Sequence, residues 1–359
     1  MARYPAYRKR RSNRTTWLVL CLVLVGVSVG LWAAFGRGGD EAEGAGNVTR
    51  PAKNSGPPTR PTNPSAGTRR DRRLKPTSRQ ADPNDPRRRQ ARKELQAGLR
   101  YREDKKIIEA RTVMSKALLS GLLSPADQKR AVEHLTKIAD KTILSRSIDS
   151  SDPYAQLYRM LPGDVLEKVV RKLKLRIPWR VILKINRRAW QGPQGNHSAR
   201  RIRAGEVLKV IRGPCHAIVY KSDRVMDLYL EREREKLPPV FLRRISVGLG
   251  RYGSTPLGVW KVRSRLTHAT YYPAANSKHK APIEYGRPDY PLGVKGLWIG
   301  LEGIDEKTRS MVSYGIHSTD KQGSIGSDQS EGCIRVSDKD IDLVFAILAE
   351  NCSKVDIRP

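Results

Sequence analysis

A chain of several small modules, ending in a predominantly β domain, is what the sequence predicts. Three observations lead there. Apolar residues change their spacing along the chain, from one unbroken uncharged run near the N-terminus, through helical spacing, to short strand-like runs after residue 214. Segments rich in Pro, Gly and Asn punctuate these stretches. The length, 359 residues with 38% hydrophobic and 29% charged, leaves room for two or three domains and excludes a collagen, a polytopic membrane protein or a wholly disordered chain. The formal net charge of +33 raises nucleic-acid binding as the first function class. The first hundred residues alone carry a net +15, so much of the excess lies where little can fold. Four cysteines are too few for a disulfide scaffold, and no CxxC pair offers a zinc site.

Residues 1–15 form a basic tail, and Trp17 to Phe35 are uncharged. Nineteen residues in a helix span about 28 Å, close to the hydrocarbon thickness of a bilayer. Arg3, Arg8, Lys9, Arg10, Arg11 and Arg14 precede the run, while Asp40, Glu41 and Glu43 follow it. The positive-inside rule then predicts a transmembrane anchor over 16–36 with the N-terminus in the cytoplasm. A cleaved signal peptide is the rival, but Ala34-Phe35-Gly36 is a poor cleavage site. The rest of the chain would lie outside the membrane, where nucleic acid is scarce, so no nucleic-acid partner is expected.

Residues 37–93 hold eight prolines and several arginine runs, Arg87-Arg88-Arg89 among them, and read as a disordered basic tether. Residues 94–150 read as a short α-helical segment. Within it Ser124-Pro125-Ala126-Asp127 supplies a helix start, and Val132, Leu135, Ile138 and Ala139 share one face.

Between 158 and 213 the order is strand, helix, helix, strand. Pro162-Gly163-Asp164 ends the first strand, Val165 to Leu173 and then Pro178 to Asn186 are helical, and Val207 to Arg212 form the last strand. This βααβ segment, with its Gly163-Asp164 and Ala204-Gly205-Glu206 turns, resembles a LysM module. The resemblance implies binding of N-acetylglucosamine-containing wall glycans, that is, peptidoglycan.

From 214 to 359 strands dominate: His216–Tyr220, Val225–Leu230, Arg243–Leu249, Gly258–Val262, Trp298–Leu301, Tyr314–His317 and Lys354–Arg358. A helix is expected after Ser337, capped reciprocally by Ser337 and Asp340, with Ile341, Val344, Phe345 and Leu348 inward. Chemistry concentrates in two stretches, Tyr314-Gly315-Ile316-His317-Ser318-Thr319 and Ser330-Glu331-Gly332-Cys333-Ile334-Arg335-Val336. A thiol attacks carbonyls as its thiolate, and an imidazole can take the proton. Gly332 would let substrate backbone approach the sulfur, and N–H groups near it could stabilise an oxyanion. Arg335 shares a strand face with Cys333 and offers a fork for a carboxylate. On spacing alone a buried structural cysteine remains an open alternative. A papain-like enzyme is excluded because its cysteine precedes its histidine. His268 and His279 have no ligand spacing with Cys333, so no metal is expected. Cys215 and Cys352 could pair if geometry allowed.

These stretches, with Gly253-Ser254-Thr255-Pro256-Leu257-Gly258-Val259-Trp260, Pro291-Leu292-Gly293 and Leu297-Trp298-Ile299-Gly300-Leu301, resemble the L,D-transpeptidase (YkuD-like) catalytic family. The resemblance implies a mainly-β domain, a nucleophile at Cys333, a general base at His317 and a substrate-gripping Arg335. It also implies a substrate-side Ser330, backbone roles at Gly332 and Ser318, and no cofactor. The implied reaction is peptidoglycan cross-linking through a thioester, in the periplasm of an envelope whose inner membrane holds the anchor. An L,D-carboxypeptidase and a non-catalytic wall-binding scaffold stay open. Glu331 departs from the family's Ser-His-Gly-Cys by replacing its histidine.

Overall fold

The computed structural model describes residues 85–186, 202–273 and 281–359. The tail, the uncharged run and most of the tether therefore lie outside the described residues, as does His279. Among the described residues no helix is long and apolar enough to cross a membrane.

Helix formation begins earlier than the tether reading allows. Helix α1 spans Pro86–Glu103, so the arginine run at 87–89 is its first turn. Asp85 caps it, accepting the Arg87 N–H at 2.9 Å, and Pro86 sits where a missing N–H costs nothing. Ala91, Leu95 and Leu99 give it a buried face that the dense charge obscures in the sequence. Helices α2 (Ile107–Leu119) and α3 (Pro125–Thr142) complete a three-helix layer. The Ser124 hydroxyl caps α3 as expected, accepting the Asp127 N–H at 3.2 Å.

Next come β1 (Ala155–Arg159), α4 (Leu166–Lys172), α5 (Trp179–Ile185) and β2 (Val207–Ile211). The strands pair antiparallel, Ala155 opposite Ile211, so the first strand starts three residues before Tyr158. Asp164 makes the turn after β1 by accepting the Leu161 N–H at 2.9 Å and the Tyr158 hydroxyl at 2.6 Å. Asn186, buried at the end of α5, exchanges amide bonds with the backbone of Lys209 in β2, at 2.7 and 2.8 Å. That pair of bonds closes the βααβ unit.

The remaining strands are β3 (Cys215–Tyr220), β4 (Val225–Arg232), β5 (Leu237–Gly250), β6 (Gly258–Leu266), β7 (Trp298–Gly303), β8 (Tyr314–His317), β9 (Asp328–Ser330), β10 (Ile334–Val336) and β11 (Lys354–Arg358). They form a nine-stranded sheet in the order β10-β8-β7-β6-β11-β3-β4-β5-β9, and a further β10–β5 pairing closes all but β9 into a ring. This is a β-barrel, which removes sheet edges. Helix α6 (Asp338–Ile347) covers it. Its expected capping box is replaced by a direct bond in which the Ser337 hydroxyl donates to the Asp340 carboxylate at 2.6 Å. Leu348 lies one residue past the helix, though fully buried.

Strand β5 is the surprise relative to sequence. It starts six residues before Arg243, across Pro238 and Pro239, and Val240, Phe241 and Leu242 are all fully buried. Val240 and Leu242 belong to the barrel core, whereas Phe241 joins the cluster made by α1, α2 and α3. The Phe241 N–H donates to the Ser115 hydroxyl of α2 at 3.0 Å. The helical layer thus covers the outside of one barrel strand, and the βααβ unit shares the barrel's own core. A second link is Arg111 of α2, wholly buried, whose fork donates two 2.8 Å bonds to Asp152 just before β1. Cys215 and Cys352 are both free thiols, the first buried and the second half-buried, so no disulfide joins them.

Two substitutions test this shared packing. Phe241→Ala is expected to lower unfolding stability by about 3–5 kcal/mol, read from urea unfolding followed by tryptophan fluorescence. Arg111→Leu, which strands the Asp152 carboxylate in the interior, is expected to cost about 3–5 kcal/mol in the same assay.

Candidate active site

Three neighbouring strands build the site. In β7 and β8 Trp298 lies opposite His317 and Ile299 opposite Ile316. Strand β10 runs parallel to β8 with Ile334 beside Ile316 and Arg335 beside His317. Strand alternation sends Ile299, Ile316 and Ile334 into the barrel core, where each is essentially inaccessible. Trp298, His317 and Arg335 consequently line up on the opposite face. The indole and imidazole rings stack, 5.5 Å apart and 17° from parallel.

His317 is 7% exposed. Its Nδ1 lies 2.5 Å from the Ser318 carbonyl oxygen. An N–H on Nδ1 donating there leaves Nε2 with the lone pair needed to accept a proton. Burial lowers the imidazole pKa to about 4; the Ser318 carbonyl opposes this, while the Arg335 charge adds to it. The ring is therefore neutral at pH 7.

Cys333 immediately precedes β10, which sets it beside Gly315 in β8. The Ser313 carbonyl oxygen lies 3.8 Å from Sγ. A side chain at Gly315 has no room, because its Cβ would stand 2.5 Å from the Trp298 ring. Although the residue is only half-buried, protein packs closely around its sulfur. Burial pushes the thiol pKa up to about 11; Gly315 and Arg335 pull it down, and Glu331 adds to the rise. The resting pair is thus a neutral thiol and a neutral imidazole, not an ion pair.

Arg335 is half-buried and makes no hydrogen bond or ion pair among the described residues; its Nε is buried without a partner. An unpaired guanidinium in such a place costs free energy until an anion reaches it. Burial lowers its pKa, with Asp320 opposing.

The other expected site residues have different work. Ser330 is 2% exposed, and its hydroxyl donates to the Cys333 carbonyl at 2.6 Å while accepting the Gly332 N–H at 3.1 Å. Those two bonds shape the turn. The Gly332 N–H is spent on that bond, which removes it as an oxyanion donor. Glycine is required there because φ is +135° and a Cβ would approach the Tyr314 ring to 2.7 Å. Protein atoms of Tyr314 and Ser254 stand beside it. The Ser318 carbonyl lies against the imidazole Nδ1, and the buried Ser318 hydroxyl donates to the Leu292 carbonyl at 2.8 Å.

Sequence reasoning gave no role to Thr255, Trp298 or Gly315. Thr255 donates to the Gly332 carbonyl at 2.9 Å and accepts the Gly250 N–H at 2.8 Å, fastening the cysteine turn to the end of β5. A glycine two residues before the histidine, on the same strand face, was the available signal for Gly315. Neither Thr255 nor Trp298 shows a spacing that would have marked it. No three His, Cys, Asp or Glu residues converge on a metal-sized site among the described residues. His268 stacks instead on Tyr285, 4.2 Å between ring centres.

Residues 215–357, the span of the barrel, match the family model YkuD, the L,D-transpeptidase catalytic domain. A Bacillus subtilis (strain 168) protein described as "Putative L,D-transpeptidase YqjB" is 35% identical over 134 residues. The match takes in 37% of this chain, and the chain spans 65% of that relative's length. Among solved structures, an L,D-transpeptidase from Mycobacterium smegmatis overlaps with a TM-score of 0.30 at 11% identity, covering 43% of this chain and 64% of that one. L,D-transpeptidase 3 from Mycobacterium tuberculosis overlaps with a TM-score of 0.30 at 10% identity, covering 44% and 77%.

Thiol reactivity checks the electrostatics. The alkylation rate of Cys333 by iodoacetamide is expected to climb about tenfold per pH unit from pH 7 to about 10, since only the thiolate reacts. A plateau already reached near pH 7 would show an ion-paired thiolate instead.

Proposed function

We propose that this protein is a peptidoglycan L,D-transpeptidase. The observation that carries the reading is that the adjacent strands β8 and β10 bring together His317, an unpaired Arg335 and, immediately before β10, Cys333. Arg335 holds a carboxylate of the donor stem bidentately. Cys333 attacks the carbonyl of the L,D-peptide bond between a diamino acid and the terminal D-alanine of a tetrapeptide stem. Nε2 of His317 takes the thiol proton as the C–S bond forms, so no free thiolate is needed at rest. The imidazolium then protonates the departing amine, D-alanine leaves, and a thioester remains on Cys333. An amine of a second stem resolves it into a cross-link.

Two further parts of the chain support an envelope setting. The uncharged run from Trp17 to Phe35, with arginines before it and acids after it, fits an inner-membrane anchor that leaves the barrel in the periplasm. The βααβ order fits a LysM-like glycan binder, and Leu157 in β1 and Leu161 and Val165 after it are each exposed. Apolar side chains left in water suit contact with the faces of sugar rings.

Incubating the full chain with purified tetrapeptide stems tests the reaction. Mass spectrometry is expected to find an acyl adduct on Cys333, released D-alanine and dimeric stems. Cys333→Ala should abolish all three, and equal products from both proteins would sink the proposal. Arg335→Lys, which keeps the charge and loses the fork, is expected to raise the donor KM about tenfold or more. For the module, Leu157→Asp with Leu161→Asp is expected to reduce retention on purified sacculi in a pull-down; unchanged retention removes its glycan role.

A further inference from the structure

The turn that presents Cys333 carries a carboxylate with no part in the acylation just described. Glu331 is exposed at the tip of segment 330–333, two residues before the sulfur. The chain on either side of it is pinned. Ser330 bonds both Gly332 and Cys333, and Thr255 ties Gly332 to Gly250. The Glu331 side chain itself makes no ion pair and no hydrogen bond among the described residues. Arg251 follows Gly250, which pairs with Ser330, yet it forms no ion pair with Glu331 either.

A free carboxylate here works against the first half of the reaction. Its charge helps keep the thiol protonated, and it repels the anionic donor. One participant gains from it: a cation arriving after the thioester has formed. Glu331, two residues before the sulfur, and Arg335, two residues after it, give the thiol an unpaired anion and an unpaired cation as neighbours. The two charges match the two reactants in turn, a carboxylate on the donor and an ammonium on an amine acceptor.

We propose that Glu331 is an acceptor-selecting residue that binds the ammonium of a primary-amine acceptor beside the Cys333 thioester and so favours aminolysis over hydrolysis. The inference rests on the acyl-transfer reading and names the acceptor class for the same site. The captured ammonium loses one proton to solvent, and its nitrogen attacks the thioester carbonyl. The N–C bond forms and the C–S bond breaks. Of the two protons left on nitrogen, one passes through Nε2 of His317 to the sulfur, restoring the thiol and the neutral imidazole, and the other stays on the amide. Water brings no positive charge, so Glu331 does nothing to hold it.

The test measures partition within one acyl-enzyme population, which makes it independent of how much acyl-enzyme forms. The full chain is given a tetrapeptide stem and one of two acceptors at equal concentration, a cationic diamino-acid amide or neutral hydroxylamine. Mass spectrometry reads the ratio of aminolysis to hydrolysis product. Glu331→Gln is expected to lower that ratio about 2- to 5-fold for the cationic amide, the range for an exposed charge pair, and to leave it level for hydroxylamine. Glu331→Asp should recover most of the loss, and added salt should bring wild type towards the Gln variant. An unchanged ratio with the cationic acceptor overturns the proposal. So does an equal fall with both acceptors, which would mark a disturbed turn. Absence of any Cys333 adduct in wild type overturns the acyl-transfer reading itself, and the acceptor role with it, before partition is measured.

Discussion

Strand β10 is only three residues long, yet it is hydrogen-bonded on both sides, parallel to β8 and antiparallel to β5. That double pairing closes the barrel and decides which face each residue of the segment takes. A slip of one residue would turn Arg335 into the core and Ile334 out of it, because side-chain direction alternates along a strand. Ile334, packed beside Ile316 in the core, resists such a slip. The order Trp298, His317, Arg335 across three strands is the other side of the same register. Apolar packing beneath the sheet thus places the reactive groups above it.

The barrel does not stand alone. Strand β5, which supplies half of the closure, is buried on both faces, by the barrel core and by Phe241's contacts with the helical layer. Arg111 and Asp152 join that layer to the chain entering the βααβ unit, whose own apolar residues continue into the barrel core. On the far side Arg180 of α5 lies over the Phe345 ring of α6, 6.0 Å from its centre. The helical segment is one wall of the structure that supports the site.

Electrostatics at the site follow from burial more than from neighbouring charge. Both Cys333 and His317 are held neutral by desolvation. The unpaired charges lie to either side, on Arg335 and Glu331. In the proposed acyl transfer, a neutral pair of this kind would tie nucleophile formation to the moment of attack, when the imidazole takes the proton. It also limits adventitious reaction of the thiol while no substrate is bound.

Much of the strand and helix order was legible in the sequence, because periodicity and turn residues act over short distances. The capped start of α3, the helix–helix step of the βααβ unit, strand β8 and the final strand all follow from such local signals. So does the shared strand face of Cys333 and Arg335. The reading failed where a signal was masked or distant. Arginines hid the Asp85-Pro86 start of α1, and two prolines hid the start of β5, whose partners lie on both of its faces. At Ser330 and Gly332 residue type suggests chemistry but cannot reveal which bonds a turn has already used. By itself the sequence determined the local elements and the types of reactive group. Only the tertiary structure decided that β8 and β10 lie side by side, that Thr255 and Ser330 brace the cysteine turn, and that Arg335 and Glu331 stay unpaired. Those outcomes depend on contacts between segments far apart in the chain, which no local pattern encodes.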